Sequence, residues 1–432
     1  MRDLLITGGF VVTLDETTGD LPGGDVLIRD GRIAAVGHGL EASDARVVDA
    51  RGRLVLPGLV DTHRHVWQGA LGGLADRHSL IGYSREVLGR VAPHFTPDDS
   101  YAGTLWGALQ ALDAGITTVA DWSHNLVSPA HTDAVVRALA DSGIRGVFLH
   151  GGPSGPDPVD VRGVRERFFA DGVHGRLRMG LAVPGPAFGT PAATKDDFAL
   201  ARDLGLPISV HVGMAGFPDS VATLDRLGLL GPDVNHVHAT RLSRHEFELI
   251  ADSGGSISLT PSTDVLMALG TYPATGDALR HRLPAGLGVD TVTGAGTDLF
   301  SEMRLALAAE RSRTNAAAVA RHEAVPTVDF TPRDVLRLAT LGGAEVWHLD
   351  HEIGSLSTGK RADLALLDLR SPHLDGYADP VTTVVLGAGP ADVETVIVDG
   401  EVVKDHGRLV GPHARAARDL VRHSRTRLRS HG

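Results

Sequence analysis

Apolar residues follow two rhythms along this chain. From residue 1 to 56 they form short runs such as Leu4-Leu5-Ile6, Phe10-Val11-Val12, Val26-Leu27-Ile28 and Ile33-Ala34-Ala35-Val36. Gly- and Asp-containing turns (GGD, RDGR) separate them. That pattern predicts a small antiparallel sheet. It returns near the other end in ADLALLDL, VETVIVDG and EVVKDHGRLV. The two ends, 1–56 and 350–432, are therefore expected to build one small β-sandwich, the second part closing on a C-terminal helix. A different unit is inserted between them.

In that middle unit, 57–349, short buried-type strands alternate with amphipathic stretches. The predicted strands are 115–121, 145–150, 176–183, 207–211, 234–238, 256–260 and TVTGAGTD at 291–298, together with the run leading into Asp61. Stretches such as YAGTLWGALQALDA and RHEFELIADS supply the helices. Eight strand–helix repeats predict an α/β fold, a TIM-type (β/α)8 barrel. Such barrels place chemistry at the C-terminal ends of their strands. Polar residues gather at those predicted ends. His63 and His65 follow strand one, and Asp121, His124 and Asn125 follow strand two. His150 ends strand three, His211 strand five, His236 and His238 strand six, and Asp298 strand eight.

Composition narrows the chemistry. The chain has 432 residues, 22 His and no Cys. Thiolate nucleophiles, disulfides and Cys-based zinc sites are excluded, so any metal is held by His and carboxylates. In DTHRH, His63 and His65 stand two positions apart and face the same side of a strand. Alone, such a pair reads equally well as two loop histidines. Its place after LVLPGLV, a third nitrogen from His211 and a carboxylate from Asp298 together predict a site for Zn²⁺ or Fe²⁺. Taken singly, Asp298 also reads as a helix N-cap before LFSEMRLALAAE.

The chain resembles the amidohydrolase superfamily, in its deaminase and chlorohydrolase-like branch of cytosine deaminase-related, mononuclear enzymes. The resemblance rests on VLPGLVDTHRHVWQ, on His211, on VHATRLS around His238, on LGVDTVTGAGTDLFSEMR, and on IGSLSTGKRADLALLDL with VIVDGEVV. It covers nearly the whole chain. It implies that His63, His65, His211 and Asp298 are the metal ligands and that His238 is catalytic. Strand four, RLRMGLAV, has no lysine to bridge a second metal, so one divalent ion, Zn²⁺ ahead of Fe²⁺, is expected. In this reading Asp298 takes a proton from water and returns it to the leaving nitrogen, and His238 stabilises charge on oxygen.

One position departs from the family. Relatives that deaminate heteroaromatic rings typically carry Glu three residues after the strand-five His; here HVGMAG places Met214 there. A thioether exchanges no protons. The expected reaction is hydrolysis of a non-peptide C–N bond, in an aminated N-heterocycle or in a cyclic amide or amidine. Two alternatives stay open: cleavage of a peptide-derived amide in natural-product maturation, and a catalytically silent scaffold. Intact ligands argue against the scaffold.

Trp67, Gln68, Trp122, His124, Met214 and His236 are the candidate substrate contacts. The stretch after His65, the loop HGGPSGPDP, and Ser262 or Thr263 in TPSTD are candidates for the rim. The net charge of −12 argues against a nucleic-acid partner. The basic end, ARAARDLVRHSRTRLRSHG, reads as the solvated face of a terminal helix. No signal peptide or membrane span is read, so the expected location is cytoplasmic and the expected partner a small-molecule substrate, with homo-oligomerisation left open.

Overall fold

The computed structural model describes residues 3–429. Both ends of the chain meet in one nine-stranded sheet. The junction is the antiparallel pairing of Arg53–Pro57 with Leu364–Asp368, in the register Leu364↔Pro57 and Ala365↔Leu56. Each segment thereby covers an edge that the other would leave unpaired. Ile6, Val26, Ile28, Leu364, Leu366 and Ile397 form the core under this sheet. Arg145, at the start of a barrel strand, donates from Nε to Asp363 (2.7 Å) and from Nη2 to Asp399 (3.3 Å), which docks the barrel against the sheet.

Eight parallel strands make the barrel: Leu59–Arg64, Ile116–Ser123, Arg145–His150, Leu177–Val183, Ile208–Val212, Val234–His238, Ser256–Leu259 and Ala285–Leu287. They are called strands one to eight below. A two-residue strand, Val173–His174, pairs antiparallel with strand four. The helices around the barrel follow ordinary rules. Pro97–Asp113, for example, starts with a capping box between Thr96 and Asp99 and buries Leu105, Leu109 and Leu112.

Strand eight lies elsewhere than the sequence predicts. It is Ala285–Leu287, and the expected segment 291–298 is a loop. TVTGAGTD carries the β-branched residues that signal a strand, whereas AGLG is short and glycine-interrupted. Close packing demands those glycines. A Cβ on Gly286 would meet Thr62 Cγ2 at 2.4 Å, and one on Gly288 would meet the His63 carbonyl oxygen at 2.7 Å. That proximity closes the barrel. Asp290 N donates to His63 O (2.8 Å) and His65 N donates to Asp290 O (2.8 Å). The carboxylate at the mouth beside strand eight is therefore Asp290.

The terminal helix, His413–Arg429, packs on Pro97–Asp113 and buries Ala417, Val421 and Leu428. Arg425 donates to the carbonyls of Gly69 and Ala70, and Arg422 on another face is exposed. The last three residues of the basic stretch lie outside the described residues. Among the described residues no helix is long and apolar enough to cross a membrane.

Candidate metal centre

Two strand ends and the strand-eight turn deliver four ligand atoms to one point. His63 and His65 project together from strand one, as their spacing requires. His63 Nε2 lies 3.3 Å from His211 Nε2. Asp290 Oδ1 lies 3.2 Å from His63 Nε2 and 3.1 Å from His65 Nε2. The nitrogens of the three imidazoles all fall within 4.8 Å of one another. His65 Nδ1 donates to the Trp122 carbonyl (2.8 Å), which leaves the Nε2 lone pair free for a ligand bond. Burial lowers the His63 pKa to about 4 and that of His211 well below the usual histidine value, so both rings are neutral. Burial opposes charge on Asp290, yet the closeness of His63 and His65 holds the carboxyl well below the usual range.

This donor set fits a divalent ion. With its proton on Nδ1, His65 brings an Nε2 lone pair to 3.1 Å from the charged Asp290 Oδ1, and a cation between them resolves the contact. Three nitrogens and one carboxylate oxygen are a zinc-type set. Neighbouring carboxylates brace it. Asp61 accepts from Arg64 Nε (2.7 Å), His63 N (3.3 Å) and Val289 N (3.2 Å), tying strand one to strand eight. Asp121 accepts from Val66 N (3.1 Å) and Ser123 Oγ (2.6 Å), and burial lifts its pKa to about 6.

Asp298 is not in this cluster. It caps the helix Leu299–Ala320, accepting from Ser301 N at 2.8 Å and from Ser301 Oγ at 3.2 Å. The capping role visible in the sequence is the one it has, and the carboxylate that meets His63 and His65 is that of Asp290.

His238 stands where expected. Its ring centroid is 5.1 Å from that of His211 and 5.9 Å from that of His63. Its backbone has φ = 73°, a strained value for a non-glycine residue. His238 Nδ1 donates to Asp264 Oδ1 (3.0 Å) and lies 2.8 Å from Thr260 Oγ1. Burial alone would hold the ring neutral, but the hydrogen bond and charge of Asp264 outweigh it and raise the pKa. Sequence reading missed Asp264. The signal was there: Thr260 and Asp264 stand one helical turn apart directly after strand seven, so both face His238.

A cavity opens over these groups. Trp122, His124 and Met214 line it, as predicted. Leu80, Tyr83 and Leu88 from the stretch after His65, Gly152–Ser154 from the Gly/Pro-rich loop, and Thr263 complete much of the wall. Trp67, Gln68 and His236 are not in it. After His65 the chain winds into a short helix, Val66–Leu71, that turns Trp67 into a cluster with Phe95 (centroids 5.0 Å apart). Gln68 sits behind the wall, donating to Tyr83 Oη and accepting from Thr291 Oγ1. His236 donates from Nδ1 to Ser256 O (3.1 Å). Nor do Asn125 and His150 reach the cavity; they bind Ala92 O (3.2 Å) and Asp160 (3.0 Å).

Glu302 lies behind Asp264. It is fully buried, accepts from Ser262 N (2.8 Å), and burial pushes its pKa to about 8. The folded state thus favours the neutral acid. Its contribution to stability is intact below the ordinary glutamate pKa and is lost as pH rises toward 8. Urea unfolding of the wild type should show a decline on the order of 3–5 kcal/mol from this group between pH 5 and 9. Glu302→Gln should flatten that slope; parallel curves for the two proteins would refute the assignment.

Residues 54–403 match the amidohydrolase family, to which this chain belongs. The 5-methylthioadenosine/S-adenosylhomocysteine deaminase of Symbiobacterium thermophilum is 32% identical over 93% of this chain and 94% of its own length. The 5'-deoxyadenosine deaminase of Methanosarcina mazei is 29% identical over 98% and 99%. Among solved structures, an adenosine deaminase from Xanthomonas campestris with bound zinc superposes with a TM-score of 0.86 at 25% identity, covering 99% of each chain. The atrazine chlorohydrolase TrzN of Arthrobacter aurescens, complexed with zinc, gives 0.86 at 25%, covering 98% of this chain and all of its own. The chain is a metal-dependent hydrolase acting on carbon–nitrogen bonds other than peptide bonds.

Proposed function

We propose that His63, His65, His211 and Asp290 hold one Zn²⁺, and that the site deaminates a small aminated N-heterocycle or opens a cyclic amide or amidine. The observation that carries this reading is the convergence of three Nε2 atoms and Asp290 Oδ1 at the floor of a largely apolar cavity. A divalent ion bound there acidifies water and polarises the bond under attack. Asp290 accepts the proton as the water oxygen bonds to carbon, and the same carboxyl returns it to the nitrogen as the C–N bond breaks. For a cyclic amide, where the charge develops on oxygen, atoms and protons balance with that one group; on an aminated ring the electron pair of the C=N bond passes to a ring nitrogen, which Met214 cannot protonate. His238, whose pKa the bond and charge of Asp264 raise against burial, is placed to donate toward the oxygen on which negative charge develops. The zinc-bound structures of relatives at 25% identity support the choice of metal.

Elemental analysis of the purified protein should find about one zinc per chain, the count a single four-ligand site predicts. A panel of amino-heterocycles, cyclic amides and amidines, scored by mass change and ammonia release, should yield a substrate that is lost on chelation. A protein with no stoichiometric ion under any loading condition would defeat the proposal.

A further inference from the structure

Gln68 is fully buried and touches strand one, the turn after strand eight and the cavity wall at once. Its backbone N donates to the His65 carbonyl (3.0 Å), which fixes it to the end of strand one. Its side-chain oxygen accepts from Thr291 Oγ1, on the residue after Asp290. Its side-chain nitrogen donates to Tyr83 Oη, and Tyr83 belongs to the cavity wall. Thr293 extends this chain of bonds, with its Oγ1 2.6 Å from Thr291 Oγ1 and its N donating to the same oxygen at 3.1 Å. Two backbone bonds run beside it: Gly73 N donates to Val292 O (3.2 Å) and Ala75 N to Thr293 O (2.8 Å). A Cβ on Gly294 would meet Ala75 O at 3.0 Å, so the two segments lie in close contact. From Thr291 to Asp298 the chain forms neither helix nor strand. A buried loop without a ladder of its own takes its shape from bonds of this kind.

On the reading of the site given above, in which Asp290 is a metal ligand, we propose that Gln68 is a positioning residue. It fixes the turn that carries Asp290 against strand one. It also holds Tyr83, and with it the wall around Leu80 and Leu88, in register with that carboxylate. The reason is the match of donors and acceptors. A carboxamide offers an acceptor and a donor on one rigid plane, so a single side chain serves Thr291 and Tyr83 together. An apolar side chain there would leave both hydroxyls without that partner in a buried place, and the turn would be free to shift. Partners that lie behind metal ligands orient them, so such a shift is read out as metal affinity.

Gln68→Leu and Thr291→Val keep the size of each side chain and remove the bond between them. Cobalt(II), titrated into the metal-free protein, reports the site through visible absorption bands that depend on ligand geometry. Either variant should weaken cobalt binding about tenfold or more and alter the bands. The double variant should lose no more than Gln68→Leu alone, since that change already removes the bond to Thr291. Hydrogen exchange on the metal-free proteins gives a second readout. Gln68→Leu should speed exchange both in 72–91 and in 290–298, with the other barrel strands unchanged. Wild-type cobalt spectra and affinity in both single variants, losses that add in the double variant, or exchange raised in only one of the two segments would each overturn the inference. If Gln68→Leu fails to fold, Thr291→Val decides by its cobalt spectrum and by exchange in 290–298. A wild type that binds neither zinc nor cobalt defeats the metal reading instead, and the exchange comparison then tests the link between the two segments by itself.

Discussion

Replacing Asp290 with Asn should lower turnover by about a thousandfold or more, while the same change at Asp298 should leave it near the wild-type rate. The two aspartates stand eight residues apart, each after a small or branched residue that follows a glycine, in GVD and GTD. Their surroundings separate them. Asp290 Oδ1 is within 3.2 Å of two imidazole nitrogens, so under the proposed mechanism its loss removes a ligand and the proton carrier together. Asp298 faces Ser301 N at the head of a helix. Asn caps a helix about as well as Asp, so Asp298→Asn should be silent, and Asp298→Ala should cost about 1 kcal/mol of stability without touching kcat. Zinc content and steady-state kinetics on the three variants check this. An active Asp290→Asn, or an inactive Asp298→Asn with its zinc retained, would refute the ligand assignment.

The same pair shows where the sequence was legible. Seven barrel strands are apolar runs of four to eight residues, and they can be read because both faces of a parallel strand are buried. The His-rich rim followed from their ends. Strand eight is three residues long and built around Gly286. Its glycines are required by Thr62 and His63, residues more than 220 positions away, and no local pattern reports that contact. One misplaced strand moved the carboxylate from Asp290 to Asp298. Trp67 and Gln68 failed for a related reason: adjacency to His65 in sequence was read as adjacency in space, but the helical turn at Val66–Leu71 rotates both away from the cavity. Met214 needed only its offset from His211, and it does line the cavity.

Asp264→Asn should cut kcat by about a hundredfold or more while zinc content stays at the wild-type level. Asp264 is fully buried and meets the site through its hydrogen bond from His238. With a carboxylate at Nδ1, the imidazole keeps its proton on that side and its positive charge is stabilised in a buried site. A carboxamide keeps the size but not the charge, and its NH₂ can face Nδ1 and select the other tautomer. Either change weakens the donor that His238 presents to the developing oxyanion. Asp264 also accepts from Thr260 Oγ1 (3.0 Å), so a purely structural role would show as lost stability with kcat preserved in the surviving folded fraction. The pH profile separates the two. If Asp264 holds His238 protonated, the alkaline limb of kcat set by the imidazolium should move to lower pH in Asp264→Asn, because the folded-state pKa of His238 falls once the neighbouring charge is gone. His238→Asn should then lose as much activity as the double variant His238→Asn/Asp264→Asn, since the pair works as one unit. Additive losses in that cycle would mean that Asp264 serves the site by some route other than His238.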